Sequence, residues 1–256
     1  MNIISPLAFV SPEAKIGDGV IIHPFAYIDK NVEIGNNCTI MPYASVLSGT
    51  RMGMGNEVYQ NSVLGSAPQD FNYLGGDTIL EIGNNNVFRE NVVISRSSNP
   101  EGKTVIGNDN SLMEGVHICH DVRVGDHCVL GLKSIVAGNC IIESHVIFSS
   151  IVSMFQDTHV GSWSMVRGGC RFRKDVPPYI VTSTNPTSYY GVNVKFLEYH
   201  KFPEKIIQHI AHAYELIYHG NVSLIDAAMR VEEEVPISDE IRNIINFVRN
   251  SKKGIV

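Results

Sequence analysis

The sequence predicts a mainly β protein: a three-sided parallel β-helix over residues 1–185, followed by a three-helix tail over residues 186–256. Three observations predict it: apolar residues recur every six positions, glycines recur at spacings of eighteen, and both regularities stop at Pro177-Pro178.

The hexad comes first. Steps of six from Ile4 reach Val10, Ile16, Ile22, Ile28, Ile34, Ile40, Val46, Met52, Val58 and Leu64, apolar at all eleven positions. With 44% of residues hydrophobic, chance delivers such a run about once in ten thousand trials. The same phase resumes at Ile82, Phe88 and Ile94, then from Ile106 through Ile118, Val136 and Met154 to Phe172. A strand in an ordinary sheet has period 2 and a helix 3.6, so one apolar residue in six fits short strands separated by corners. Glycine follows the apolar residue at Gly17, Gly35 and Gly53, at Gly65 and Gly83, and at Gly107, Gly125 and Gly161, each group spaced by 18 or twice 18. One coil is therefore three hexads. A glycine column at one corner is expected where a tight bend demands a backbone angle that other residues adopt only with strain. At roughly 4.8 Å per coil, about nine coils make a prism about 45 Å tall. No hexad buries its side chain alone, so stability comes from stacking. Residues 66–80 and 96–105 lose the pattern and carry Gly, Pro, Asn and Asp, as loops pushed out of a rigid scaffold do.

The tail reads as three helices. Pro203 opens the first, with Ile206, Ile210, Tyr214 and Ile217 on one stripe and Gly220 at its end. Ser223 with Asp226 forms a capping box for the second, and Ser238 precedes a third carrying Ile241, Ile244, Ile245 and Val248.

Composition narrows the function. The 256 residues hold 20 Lys+Arg against 26 Asp+Glu, a net charge of −6, which argues against a nucleic-acid partner. No apolar run reaches the eighteen or so residues of a membrane span, and Met1 to Pro6 lacks the basic start and apolar block of a secretory signal, so a cytoplasmic protein is expected. Cys38, Cys119, Cys128, Cys140 and Cys170 form no CxxC pair and are odd in number, so they read as reduced, mostly buried thiols. From Arg167 to Lys205 the local charge is +4 inside an acidic chain, a surface suited to an acidic partner or a phosphate.

Four segments carry a family resemblance: Ala67-Pro68-Gln69-Asp70-Phe71, Gly107 to Asp121 with its His117-Ile118-Cys119-His120-Asp121 run, Asp175-Val176-Pro177-Pro178-Tyr179, and Gly191-Val192-Asn193. Across essentially the whole chain the sequence resembles the UDP-N-acetylglucosamine 3-O-acyltransferases of lipid A biosynthesis, a branch of the hexapeptide-repeat acyltransferases. The resemblance implies a left-handed β-helix and a homotrimer with active sites in clefts between prisms. It further implies transfer of a long 3-hydroxyacyl chain from acyl carrier protein to the glucosamine 3-hydroxyl of UDP-GlcNAc, with no cofactor and no metal.

A sugar hydroxyl is a poor nucleophile at neutral pH, so a base must take its proton and an N–H donor must steady the oxyanion. The match to HxxHD makes His120 the base and Asp121 its orienting partner. His120 also lies two residues past the core residue Ile118 and so points out of the prism. Gly138 lies eighteen residues on, one coil above at the same corner, and the resemblance gives its N–H to the oxyanion hole. Gln69, Asp70, His117, Gln156, Asn193 and His200 match substrate-contact positions, and Gly168 matches the acyl-chain ruler, where glycine implies a long chain. Arg167, Arg171, Arg173 and Lys174 are expected at the rim that meets acidic acyl carrier protein. The chain departs from the family at Asn72, where Lys is common, at Ser95, Asn139 and Phe155, where His is common, and at Tyr199-His200, where an Arg pair stands. The alternatives are another O- or N-acyltransferase on this scaffold and a structural β-helix, the second disfavoured by the His-Asp pair. Zinc binding of the γ-carbonic-anhydrase kind needs a third histidine in register, and His145 is twenty-five residues from His120.

Overall fold

The computed structural model describes all residues except Asn72 and Asn221. Two-residue strands alternate with turns to build a left-handed β-helix with three parallel faces. The first face begins at Ile3–Ile4, the second at Phe9–Val10 and the third at Lys15–Ile16. Each strand pairs one coil on, as Ile21↔Thr39, Tyr27↔Ser45 and Lys15↔Glu33 do, which is the eighteen-residue register read from the sequence. The hexad residues fill the interior: Ile28, Ile40, Val58, Leu64, Phe88, Leu112, Ile118 and Val136 are fully buried. Each contributes about 1.5–3 kcal/mol by leaving water. Ile4, in the first coil, is 44% exposed because no coil lies beneath it.

Gly65 follows a second-face strand rather than joining the column, and its φ of 83° is the bend that was expected; the remaining glycines share one corner for a different cause. Gly17, Gly35, Gly53, Gly83, Gly107, Gly125 and Gly161 keep φ outside the left-handed region. What excludes a side chain is the next coil: a Cβ on Gly35 would lie 2.5 Å from the carbonyl carbon of Gly53, and one on Gly83 would lie 2.6 Å from the oxygen of Gly107. The left-handed angle falls two residues later, where Asn37, Asn85, Asp109, His127, His145 and Trp163 adopt φ of 55 to 63°. The two expected loops are also shorter than the pattern implied. Strands Ile79–Ile82 and Lys103–Ile106 reach back into them, because Leu80 pairs with Thr50 on one side and Thr104 on the other.

After the last coil, strand Tyr189–Val192 pairs antiparallel with Ile180–Thr182 and extends the first face. A short helix α1 (Val194–Tyr199) precedes the three expected helices, α2 (Glu204–His219), α3 (Leu224–Glu234) and α4 (Asp239–Asn250). Ser223 and Ser238 cap α3 and α4 by accepting from the Asp226 and Ile241 N–H groups. Fully buried Tyr214 of α2 donates its hydroxyl to the Pro178 carbonyl. Asp175, buried at the end of the prism, accepts from Ser251 Oγ at 2.6 Å and from the His159 N–H at 2.8 Å. The five cysteines are free thiols, four of them buried. Among the described residues no helix is long and apolar enough to cross a membrane.

Candidate active site

The edge between the second and third faces carries the site. Strand His117–Ile118 stacks beneath Ile135–Val136, which stacks beneath Ser153–Met154 and then Arg171–Phe172. Three residues past each core position, the chain turns this corner at Asp121, Asn139 and Asp157, all with left-handed φ near 60°. The register sets His120, Gly138, Gln156 and Lys174 in one column, so Lys174 stands three coils, about 14 Å, from His120.

His120 is hydrogen-bonded at Nδ1 and faces a second carboxylate at Nε2. Nδ1 lies 2.8 Å from Asp121 Oδ2, and Nε2 lies 3.7 Å from Asp70 Oδ2, with 12% of the imidazole exposed. Asp70 comes from the loop at 67–77, so the loop closes one side of the ring. Burial pushes the Asp121 carboxyl up, but hydrogen bonds from Ser97, Ser98 and His120 outweigh it and hold the carboxyl below its usual range. The Asp121 carboxylate thus faces Nδ1 and orients the ring, with Nε2 turned toward Gly138 and Asp70. Gly138 sits directly on the ring: a Cβ there would lie 2.6 Å from His120 Cε1 and 2.8 Å from Nε2. Among the described residues its N–H has no acceptor within the chain. An unpaired backbone donor beside an imidazole is an arrangement that can receive a developing oxyanion.

The structure gathers only part of the expected set on this edge. Gln69 and Gln156 are exposed near it, and half-buried His117 faces outward on the second face, its imidazole pushed down by burial. Arg171, Arg173 and Lys174 line a cleft of about 580 Å³ with Thr184, Asn185 and Thr187 at the upper end of the column. Arg173 also lies over the Phe155 ring at 4.3 Å. Arg167 is turned elsewhere, onto the Tyr190 ring at 3.7 Å. Gly168 lies on the edge between the first and second faces, where a Cβ would meet Ser150 O at 3.0 Å. His200 lies on the third edge, edge-on to Trp163 at 4.9 Å. Trp163 caps a stack in which its ring lies 3.8 Å from His145, itself 4.9 Å from His127. His145 is therefore on a different edge from His120. Asn193 is 5% exposed and donates its amide to the Trp163 carbonyl at 3.0 Å. Asn72 lies outside the described residues, and Ser95 is buried against Ser66 Oγ at 3.1 Å. Among the described residues no three His, Cys, Asp or Glu side chains converge to hold a metal ion.

Sequence reasoning missed Ser97 and Ser98, whose hydroxyls grip Asp121, and Thr104, which accepts from the Asp121 N–H at 2.8 Å. The signal was a Ser-Ser pair opening a loop beside the histidine's corner, visible only once the coil register placed them together.

A β-helix of hexads with a histidine-carboxylate pair on its outer edge defines the class of hexapeptide-repeat transferases, and residues 103–131 match the family model described as bacterial transferase hexapeptide (six repeats). Residues 175–256 match the model described as Udp N-acetylglucosamine O-acyltransferase, domain 2. The acyl-[acyl-carrier-protein]--UDP-N-acetylglucosamine O-acyltransferase of Syntrophobacter fumaroxidans is 31% identical over 255 residues, 99% of each chain. The crystal structure of the UDP-N-acetylglucosamine acyltransferase of Bacteroides fragilis superposes with a TM-score of 0.98 at 46% identity, covering 99% of this chain and 100% of that one. The UDP-N-acetylglucosamine O-acyltransferase of Moraxella catarrhalis gives 0.95 at 33%, covering 99% of each. The chain belongs to the acyl-[acyl-carrier-protein]--UDP-N-acetylglucosamine O-acyltransferase family.

Proposed function

We propose that the protein transfers a long 3-hydroxyacyl group from acyl carrier protein to the glucosamine 3-hydroxyl of UDP-GlcNAc, the first step of lipid A biosynthesis, in the cytoplasm. The single observation that carries this reading is the Asp121–His120 pair beneath Gly138, at 2.8 Å from carboxylate to imidazole. His120 Nε2 removes the sugar hydroxyl proton as the oxygen attacks the thioester carbonyl. The tetrahedral oxyanion accepts from the Gly138 N–H, and collapse expels the pantetheine thiolate, which takes the proton back from His120. No covalent acyl-enzyme forms. Gln69, Asp70, His117, Gln156 and His200 contact the sugar nucleotide, Asn193 acts from behind them through its bond to the Trp163 carbonyl, and Gly168 leaves room for the end of a long chain.

These residues lie on three different edges of one prism, which favours a homotrimer whose clefts join the His120 edge of one protomer to the edges of the next. Exposed Ile135, Ile141 and Ile151, at 49%, 41% and 60%, give such clefts apolar walls. Acyl carrier protein docks at Arg171, Arg173 and Lys174, without Arg167, which is turned onto the Tyr190 ring, and its pantetheine arm descends the column toward His120. The prism at 1–185 carries the transfer chemistry, and the tail at 186–256 adds a strand to its first face and brings His200 to the third edge. The test is purified protein with UDP-GlcNAc and 3-hydroxyacyl carrier proteins of several chain lengths, read by mass spectrometry. A 3-O-acylated UDP-GlcNAc is expected, and no product with any donor overturns the proposal.

A further inference from the structure

Asp121 is gripped from its far side by the loop at 96–102. Ser97 Oγ hydrogen-bonds Oδ1, Ser98 Oγ donates to Oδ2 at 2.7 Å, and the Ser98 N–H donates to Oδ2 at 3.2 Å. The loop is itself locked, since Ser97 Oγ accepts from the Asn99 N–H at 3.0 Å and Gly102 N–H donates to the Asn99 carbonyl at 2.9 Å. Asp121 spends Oδ2 on Ser98 and His120 together, so the plane of the carboxylate, and with it the plane of the imidazole, is set by the two serine hydroxyls on its far side.

We propose that Ser97 and Ser98 are positioning residues for the transfer reaction, fixing Asp121 against His120 Nδ1 so that Nε2 stands beneath Gly138. The inference rests on the reading of His120 as general base. The hydroxyls do two things. They hold geometry, and as donors to the carboxylate they draw its charge away from the imidazole. Without them Asp121 is the stronger base and favours imidazolium more, so the proton affinity of His120 rises and the acidic limb of the rate profile moves to higher pH. The charged groups against His120 are Asp121 and, from the loop on the opposite side, Asp70 at 3.7 Å. The serines act on the first alone.

The experiment compares wild type, Ser97→Ala, Ser98→Ala, the double variant and Ser98→Thr. For the double variant, kcat is expected to fall roughly tenfold or more with little change in KM for UDP-GlcNAc, and the acidic limb of kcat/KM to move to higher pH. Ser98→Thr, which keeps the hydroxyl, restores both. A fall in kcat with an unmoved limb assigns the loop a merely structural role and overturns the proposal, as does an unchanged kcat. If the double variant does not fold, the single variants carry the same readouts at smaller size. The His120 imidazole is also titrated by NMR in the free protein. That measurement needs no substrate, so an absent serine effect there refutes the positioning role, whereas wild-type protein inactive with every donor refutes the transferase reading instead.

Discussion

Replacing Gly138 with alanine separates the chemical role of this glycine from a simple turn. Gly138 lies outside the left-handed region, so alanine brings no backbone strain. The new methyl would meet His120 Cε1 at 2.6 Å and Nε2 at 2.8 Å, while unstrained carbon contacts need about 3.5–4.0 Å. The imidazole must therefore retreat by about 1 Å, against its bond to Asp121 and the Asp70 loop on its other side. A misplacement of that size costs about 10²-fold in rate. The stability cost is that of a weakened bond to Asp121, about 1–2 kcal/mol, or roughly 2–8 °C in Tm for a chain of this size. The assay pairs initial rates of acyl transfer with a thermal melt. Activity within about threefold of wild type would refute the reasoning, since the ring would then tolerate displacement.

Other perturbations test separate parts of the account. Gly168→Met should shift donor preference toward shorter acyl chains, and an unchanged donor profile removes the ruler. Reversing Arg171 and Arg173 to Glu should raise KM for acyl carrier protein several-fold and leave that for UDP-GlcNAc nearly unchanged; equal effects on both count against the docking rim. Burial pushes the Glu143 carboxyl up, but bonds from His159 at 2.8 Å and the Ser162 N–H at 2.8 Å hold it below its ordinary value. A lowered folded value means stability present above the unfolded pKa and lost as pH falls through the folded one. The Tm gap between wild type and Glu143→Gln should thus be open near neutral pH and close in acid; a gap independent of pH contradicts the pair.

The prism was legible because a six-residue period leaves little freedom: each of Ile22, Ile28, Ile34 and Ile40 has one way to reach the interior. The third-face glycines were placed correctly for the wrong reason, since a sequence shows that Gly35 and Gly53 share a corner but not that their backbones touch, whereas Gly65 was grouped with Gly83 by spacing although the loop between them shifts the register. The tail was read from Pro203, Ser223 and Ser238, whereas α1 is too short to carry a period. At the site, His120 and Gly138 followed from register and resemblance. Ser97 and Ser98 did not, because the loop has no period and its hydroxyls find Asp121 only through folding. Asn193 matched a substrate position, yet its amide is committed to Trp163 within the protomer.

The central claim is that the His120 imidazole takes the proton from the sugar hydroxyl. Its most direct test is the single-turnover rate of His120→Ala against wild type, with UDP-GlcNAc and a 3-hydroxyacyl carrier protein at saturation. The account predicts a fall of about 10²–10⁴-fold with the fold intact, whereas transfer continuing at the wild-type rate would contradict it.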